Sequence, residues 1–298
     1  SPCLRASTGA CRAQRLVTAP TDLAMTFTTR FAPSPTGYLH LGHAYSALSA
    51  WQAAQCERGE FLLRIEDIDT TRCKPEFEAA ILDDLTWLGL DWALPVRRQS
   101  EHFADHAKTL DTLIENDLVY RCFKTRKEIA ADIARAPHDL ALGAKRAIYS
   151  GPITAMSPDE EAERLETGED FAWRLSVTRC RDFLDGGFDH LTFVEDVIVA
   201  RKDVGTSYHI AVAHDDALQG VSHIIRGTDL FAATHLHTLL QAIMGWPKPV
   251  YRHHRLITDR HGKRFAKRNK SVTLRALREA GETPHTIRRR IGLDGDTS

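Results

Sequence analysis

Two histidines at the predicted start of a helix carry the clearest chemical signal in this sequence. His40 and His43 follow a β-prone run that ends at Phe31 and a turn that contains two prolines and a glycine. From Leu41 onward, apolar residues recur every three or four positions, which predicts a helix beginning beside the two histidines. A helix N-terminus attracts anions because its free N–H groups and positive dipole end point outward. The pair therefore indicates a phosphate site, with two ordinary surface histidines as the alternative.

Charged side chains also stand where two other predicted strands end. Glu66 follows the apolar run 61–65, and Arg226 closes the run 221–226. Open α/β sheets bind their ligands at the carboxyl ends of strands, where an acid can hold an ammonium and a guanidinium can pair with a carboxylate. The alternatives are a polar turn for Glu66 and a surface charge for Arg226. Asp67 and Asp69 are expected to be structural.

The elements that must position these groups follow from periodicity and breakers. Pro75 opens a predicted helix that Gly89 ends, and Thr228 or Asp229 is expected to cap a helix that runs through Ile243. The stretch 208–216 reads as a buried parallel strand or as the start of a helix. Further predicted elements are a helix over 100–116 and strands over 27–31, 61–65, 171–175, 191–194, 196–203 and 221–226.

Composition sets the broad class. The chain has 298 residues, of which 43% are hydrophobic and 27% charged, enough for one large domain or two small ones. No apolar run approaches the roughly 18 residues that a membrane span needs, so no membrane contact is expected. The six cysteines form no Cys-x-x-Cys pair, which favours free thiols and a cytoplasmic protein.

Charge is unevenly distributed along the chain. Residues 246–298 contain 14 Lys and Arg against 5 Asp and Glu, so this segment carries +9 while the rest carries −10. A basic segment on an acidic body indicates contact with a polyanion. A solvated basic tail is the alternative.

The first 24 residues lack the apolar stretch of a secretory signal. Their basic, serine-containing composition leaves a transit peptide as one alternative. Because Met25 stands directly before the first predicted strand, we expect residues 1–24 to be a disordered N-terminal extension.

Four sequence blocks together resemble one family. Residues 29–43 read Thr-Arg-Phe-Ala-Pro-Ser-Pro-Thr-Gly-Tyr-Leu-His-Leu-Gly-His, and 63–69 read Leu-Arg-Ile-Glu-Asp-Ile-Asp. A Ser-Tyr-His block begins at residue 207, and Ile-Ile-Arg-Gly spans 224–227. These blocks resemble the class I aminoacyl-tRNA synthetases in their glutamyl and glutaminyl form. The basic run 264–268, Arg-Phe-Ala-Lys-Arg, is similar to a diverged KMSKS loop of that family.

The resemblance implies an α/β fold, with a Rossmann-type nucleotide-binding catalytic domain. Its first half would span 25–120 and its second half 191–245, separated by an inserted acceptor-binding-like segment over 121–190. Residues 246–298 would hold the KMSKS-like loop and a short C-terminal helical piece, without an anticodon-binding domain.

The same resemblance assigns two binding sites, with ATP as a substrate and Mg²⁺ as its companion ion. Lys267 would take the place of the family lysine that binds ATP phosphates, alongside His40, Gly42 and His43. The residues implied for glutamate are Arg30, Ala32, Ser34, Glu66, Tyr208 and Arg226.

A structural zinc ion is not expected. Many short relatives carry a zinc site in the inserted segment, but only Cys122 and Tyr149 remain here from the four positions of that pattern. Structural zinc sites need about four ligands, so two residues are too few.

Substrate and partners follow from the resemblance and from length. Only 29 residues follow Asn269, so the chain resembles truncated glutamyl-tRNA synthetase paralogues. That group activates glutamate with ATP without tRNA, then transfers it to queuosine in the anticodon loop of tRNA(Asp). L-glutamate, ATP and queuosine-bearing tRNA(Asp) are the expected partners of a monomer. A compact synthetase that charges the tRNA 3′ end and a non-catalytic RNA-binding paralogue are the alternatives.

Overall fold

A computed structural model describes residues 26–125, 127–129, 156–187, 196–201, 204–258 and 272–293. Several predictions fall on residues outside these ranges. They concern the extension over 1–24, Tyr149, the strand over 191–194, and the basic loop that contains Lys267.

The first half of the chain builds a parallel sheet of three strands in the order β1-β2-β3. In β2, five of six residues are buried, as expected for a parallel strand covered on both faces. Pro75 occupies the first position of the second helix, where its missing N–H has no intrahelical acceptor to lose. The elements are β1 (Thr28–Phe31), α1 (Leu41–Cys56), β2 (Glu60–Ile65), α2 (Pro75–Trp87), β3 (Ala93–Arg98) and α3 (Phe103–Glu115).

A separate antiparallel sheet follows, in the order β4-β5-β6. It includes the predicted strand near 171–175, which pairs antiparallel with both neighbours. The elements are β4 (Val119–Cys122), α4 (Pro158–Glu166), β5 (Ala172–Leu175), α5 (Val177–Phe183) and β6 (Ile198–Arg201).

The chain then returns to a parallel arrangement, because β7 pairs parallel with β8. Two short helices lie beyond the basic loop, and their buried Leu274, Leu277, Ile287 and Ile291 join the core around α1 and α2. The elements are α6 (Tyr208–Leu218), β7 (His223–Gly227), α7 (Phe231–Ile243), β8 (Val250–His254), α8 (Leu274–Glu279) and α9 (Pro284–Ile291).

Ser222 joins the two parallel sheets. Its backbone N donates to Thr28 O at 2.9 Å, and its Oγ accepts from Thr28 N at 2.8 Å. Strand β1 lies between β2 and β7, so the first and second halves of the chain add their strands on opposite sides of β1. Open α/β sheets bind ligands at such a switch point.

The structure decides between the two alternatives for the stretch 208–216 and corrects the predicted cap of the helix that ends at Ile243. The stretch 208–216 forms helix α6, and its buried run from Ile210 to Ala213 obscured the helical period. Capping by Thr228 or Asp229 was wrong. Residues Thr228–Leu230 form a 3₁₀ turn, and the helix begins at Phe231 without a side-chain cap. None of the described helices is long and apolar enough to cross a membrane.

Candidate active site

A cavity of about 450 Å³ opens at the carboxyl ends of β1, β2, β7 and β8. The structure brings the predicted glutamate and phosphate groups together there, although they come from distant parts of the sequence. Lys267 lies outside the described residues. The predicted residues that line the cavity are Arg30, Ala32, Ser34, His40, Gly42, His43, Glu66, Tyr208 and Arg226.

The two histidines cap helix α1. His40 Nδ1 accepts from Gly42 N at 3.1 Å, and His43 Nδ1 accepts from His40 N at 3.1 Å. Because a backbone N–H can only donate, each neutral ring carries its proton on Nε2. The rings stack with centroids 3.8 Å apart. The helix start therefore offers two imidazole N–H donors in addition to its dipole.

Gly42 makes this arrangement possible. A Cβ on Gly42 would stand 3.0 Å from His40 Cε1 and 3.1 Å from His40 Nδ1. A side chain at this position would therefore crowd the His40 ring, which would have to shift by a few tenths of an ångström from its capping position.

Arg30 does not present a free guanidinium to the cavity. Its Nε and Nη2 donate to Asp216 at 2.9 and 3.3 Å, and both residues are buried. Arg30 stays a predicted glutamate-binding residue, but only its Nη1 lies outside this ion pair.

Glu66 lies beside a second buried guanidinium. Arg64 Nη2 is 2.8 Å from Asp216 and 3.5 Å from Glu66, and Arg64 Nη1 donates to Gln219 at 3.0 Å. Burial raises the pKa of Glu66 to about 7, against the opposing effect of the neighbouring arginines. Near neutral pH, this carboxylate is poised to accept a positively charged partner.

Arg226 differs from the other two arginines because no carboxylate pairs with it among the described residues. Its Nη1 donates to His237 Nδ1 at 3.3 Å, and its Nη2 donates to Thr234 Oγ1 at 2.8 Å and Leu230 O at 3.3 Å. Arg226 is 4% exposed, and its guanidinium lies over the Tyr251 ring. A buried cation without a counter-ion is costly, so this position favours an anionic ligand.

Tyr208 supplies a neutral donor between these charges. Burial raises the pKa of its phenol to about 12, so the hydroxyl keeps its proton at physiological pH. The cavity lining thus combines a guanidinium that lacks a carboxylate partner among the described residues with a carboxylate, a phenol and a helix N-terminus.

Comparison with known proteins identifies the family. The model for the catalytic domain of class I tRNA synthetases of the glutamate and glutamine type (E and Q) matches residues 26–298. The chain belongs to this family. Membership confirms the α/β Rossmann-type prediction and a ligase of the class I aminoacyl-tRNA synthetase type.

Individual relatives fall into two groups. A Glutamyl-Q tRNA(Asp) synthetase of Rhodobacter capsulatus is 45% identical, over 89% of this chain and 99% of the relative. A Glutamate–tRNA ligase of Aquifex aeolicus is 35% identical, over 87% of this chain but only 55% of the relative. The solved glutamate tRNA ligase of Elizabethkingia meningosepticum, in complex with its amino acid, has a TM-score of 0.64 at 27% identity. It is matched over 82% of this chain and 52% of that chain.

Two buried residues of this class I synthetase were missed by sequence reasoning. Asp216 pairs with both Arg30 and Arg64, and so fixes the charge balance of the cavity wall. The signal was present, because the adjacent acids Asp215 and Asp216 stand in an otherwise apolar stretch. Two acids buried together in a helix need cationic partners.

Asp215 anchors a neighbouring cluster on the far side of α6. Its Oδ1 lies 3.2 Å from His106 Nε2, 3.1 Å from His214 Nδ1 and 2.9 Å from Arg97 Nη2, and Gln99 donates to its Oδ2. These hydrogen bonds hold the pKa of Asp215 well below its usual range despite burial.

Within the described residues, this is the one His, Cys, Asp and Glu group with metal-like spacing. The Arg97 guanidinium occupies the same oxygen, so the hydrogen bonds account for the cluster without a metal ion. Cys122 does not belong to it.

Proposed function

We propose that this synthetase activates glutamate with ATP, without tRNA, and then transfers glutamate to queuosine in the anticodon loop of tRNA(Asp). The observation that carries the proposal is Arg226, a buried guanidinium that lacks a carboxylate partner among the described residues. The relatives named Glutamyl-Q tRNA(Asp) synthetase support the choice of acceptor, and one of them aligns over 99% of its length.

Each charge of glutamate would meet an opposite charge in the cavity. Arg226 would pair with one carboxylate and Arg30 Nη1 would reach the other, while ionised Glu66 would hold the ammonium. Tyr208 would donate from its phenol. Ala32 and Ser34 line the same cavity and would contact the substrate there.

ATP would lie toward the start of helix α1. The Nε2–H groups of His40 and His43 would donate to phosphate oxygens, and Gly42 would keep the approach open. Residues on both sides of the basic loop lie at the cavity or beside His40, which supports a role for Lys267 in ATP binding. Ile257 lines the cavity, and Thr273 forms a β-bridge with His40.

The activation step would be an in-line displacement at the α-phosphorus. A glutamate carboxylate oxygen would form the new P–O bond while the bond to pyrophosphate breaks, giving glutamyl adenylate. No general base is needed because the nucleophile is already ionised. Positive groups near the phosphates stabilise the charge that develops in the transition state.

Magnesium fits this site as a companion of ATP. Two of the described residues that line the cavity carry carboxylates, Glu66 and Asp229. Mg²⁺ prefers phosphate and water oxygens with one or two carboxylates, so such a lining suffices. When bound, the ion would supply charge neutralisation on the phosphates.

The second step would transfer the activated acyl group. A hydroxyl of the queuosine cyclopentene diol would attack the activated carbonyl, forming an ester and releasing AMP. A tRNA substrate supports a cytoplasmic location.

Pyrophosphate exchange in the absence of tRNA tests the activation step. The protein should catalyse exchange between labelled pyrophosphate and ATP with glutamate, but not with glutamine or aspartate at the same concentration. Exchange that requires tRNA, or that glutamine supports equally well, would contradict the proposed activation.

A further inference from the structure

Two neutral side chains hold Arg226 in place from opposite sides of its guanidinium. Thr234 Oγ1 accepts from Nη2 at 2.8 Å, and His237 Nδ1 accepts from Nη1 at 3.3 Å. His237 is fully buried, and the Tyr251 ring lies 5.1 Å from the guanidinium carbon. The Nε of Arg226 has no partner among the described atoms.

The hydrogen bonds fix the protonation of this array. Arg226 can only donate, so His237 Nδ1 must be an acceptor and its proton must lie on Nε2. His237 Nε2 lies 3.2 Å from His209 Nδ1, so the second histidine accepts from the first and carries its own proton on Nε2. Burial and Arg226 lower the pKa of both histidines, to about 4 for His209.

A carboxylate in place of His237 would be the ordinary way to stabilise a buried arginine. Asp216 does this for Arg30 and Arg64 in the same cavity wall. At Arg226 the acceptors are an imidazole, a hydroxyl and a backbone carbonyl, none of which carries negative charge. The guanidinium is therefore oriented by these acceptors but is not neutralised by any of the residues that the structure describes.

We propose that His237 and Thr234 are positioning residues for Arg226, and that their neutrality makes a substrate carboxylate the counter-ion of this guanidinium. This inference rests on the proposed glutamate site and adds a determinant of its specificity. An acid at position 237 would compete with the substrate inside the protein. An apolar residue would leave the guanidinium without one of its two side-chain supports.

Three substitutions of similar shape separate these effects. In His237→Asn the Oδ1 replaces Nδ1 as acceptor, His237→Asp adds a charge to the same shape, and His237→Leu removes the acceptor. All three remove ring volume, so differences among them report hydrogen bonding and charge. The exposed His285, replaced by leucine, serves as the control for losing a histidine.

The KM for glutamate and for ATP in pyrophosphate exchange is measured for each variant, together with the thermal midpoint without substrates. We expect the Asn variant to stay within about threefold of wild type in glutamate KM. The Leu and Asp variants should be at least tenfold worse than the Asn variant, with ATP KM within twofold. The Asp variant should nevertheless unfold at or above the temperature of the Asn variant, because its charge neutralises Arg226.

If His237 had a purely structural role, glutamate KM would rise only in the variants whose thermal midpoint falls. Equal glutamate KM values in the three variants would overturn the inference. If wild type activates no glutamate, the proposed function fails, while the stability order still tests whether Arg226 lacks a counter-ion. Should a position-237 variant not fold, Thr234→Ser and Thr234→Val provide the same comparison. Only the valine variant should raise glutamate KM, and an unchanged KM in it would equally contradict the inference.

Discussion

The arginines around the cavity have different electrostatic partners, although their side chains are chemically identical. Arg30 and Arg64 share Asp216, whereas Arg226 contacts only neutral acceptors among the described residues. The strand pattern identified Arg226 and the resemblance added Arg30, but the sequence did not show which of the two arginines is neutralised. That distinction depends on Asp216, which lies 186 residues from Arg30 in the chain.

Replacing Arg226 by alanine should cripple glutamate activation while ATP binding persists. A lost hydrogen bond to a charged group costs about 1–3 kcal/mol or more, so glutamate KM should rise by at least about 5-fold and by as much as about 140-fold or more. Arg252→Ala is the matched control, because this arginine is exposed on the neighbouring strand. Unchanged glutamate affinity in Arg226→Ala would exclude the proposed role.

Glu66 should make glutamate binding depend on pH. Its pKa is raised by burial to about 7, so the carboxyl is increasingly protonated below that pH and loses its attraction for an ammonium. Glutamate KM should therefore fall as pH rises from about 6 to 8, and should become high and nearly flat in Glu66→Gln. A wild-type KM that does not change over this range would contradict the assignment.

The raised pKa of Glu66 should make glutamate binding stronger as pH rises, but it should make the folded protein less stable over the same change. Because the folded-state pKa lies above the usual value of about 4.5, the folded protein binds more protons than the unfolded chain between these values. The contribution of Glu66 to stability is therefore greatest below about pH 4.5 and falls as pH rises toward 7. The thermal midpoint of wild type minus that of Glu66→Gln should decrease over this interval.

At the scale of elements, the start of helix α1 was the most predictable part of the site. The prolines, the glycine and the apolar period located the helix boundary, which the structure places at Leu41. The capping geometry was not predictable, since it depends on ring orientations and on the space above Gly42. Helix α6 was ambiguous because burial on several sides removed its period.

Gly42→Ala tests the capping geometry. The new Cβ would contact His40 at 3.0 Å, and displacing a side chain from its rotamer costs about 0.5–1.5 kcal/mol. The KM for ATP should rise roughly two- to tenfold, while the KM for glutamate stays near that of wild type. Ser49→Ala in the same helix is the control. An effect on glutamate alone would argue against a phosphate site at this helix start.

The basic loop lies outside the described residues, but the resemblance makes a prediction for it. If Lys267 stabilises phosphate charge that grows in the transition state, its loss costs about 2–4 kcal/mol. Lys267→Ala should slow pyrophosphate exchange by roughly two to three orders of magnitude. Ala266→Ser, which restores the hydroxyl of the family pattern, should change the rate much less. Exchange at the wild-type rate in Lys267→Ala would favour an RNA-contact role for this loop.

In the whole molecule, some basic residues of the C-terminal segment make structural contacts that the sequence did not predict. Arg288 donates to Leu88 O at 2.9 Å and Arg255 donates to Ile291 O at 3.0 Å, while Arg275 pairs with Glu279. The Arg288 and Arg255 contacts therefore anchor helix α9 to the rest of the fold, whereas the Arg275–Glu279 pair lies within helix α8. Contact of the remaining charge with a polyanion stays a prediction.

The path of the chain explains why the fold class was predictable and the site geometry was not. Motifs and periodicity identify strands and helices locally, and the resemblance supplied their order. The contacts that join the halves are distant in sequence, such as Ser222 with Thr28 and Asp216 with Arg30. The antiparallel pairing of β4, β5 and β6 also depends on long-range contacts that no local pattern encodes.

Mapping the labelled nucleotide after glutamate transfer identifies the acceptor. The protein, ATP and radiolabelled glutamate are incubated with tRNA(Asp) that contains queuosine and with the same tRNA that lacks it. Nuclease digestion then locates the label. If queuosine is the acceptor, the label lies on the anticodon-loop nucleotide of the queuosine-containing tRNA, and the other tRNA carries none. Label on the 3′-terminal adenosine of both tRNAs would contradict the proposed acceptor.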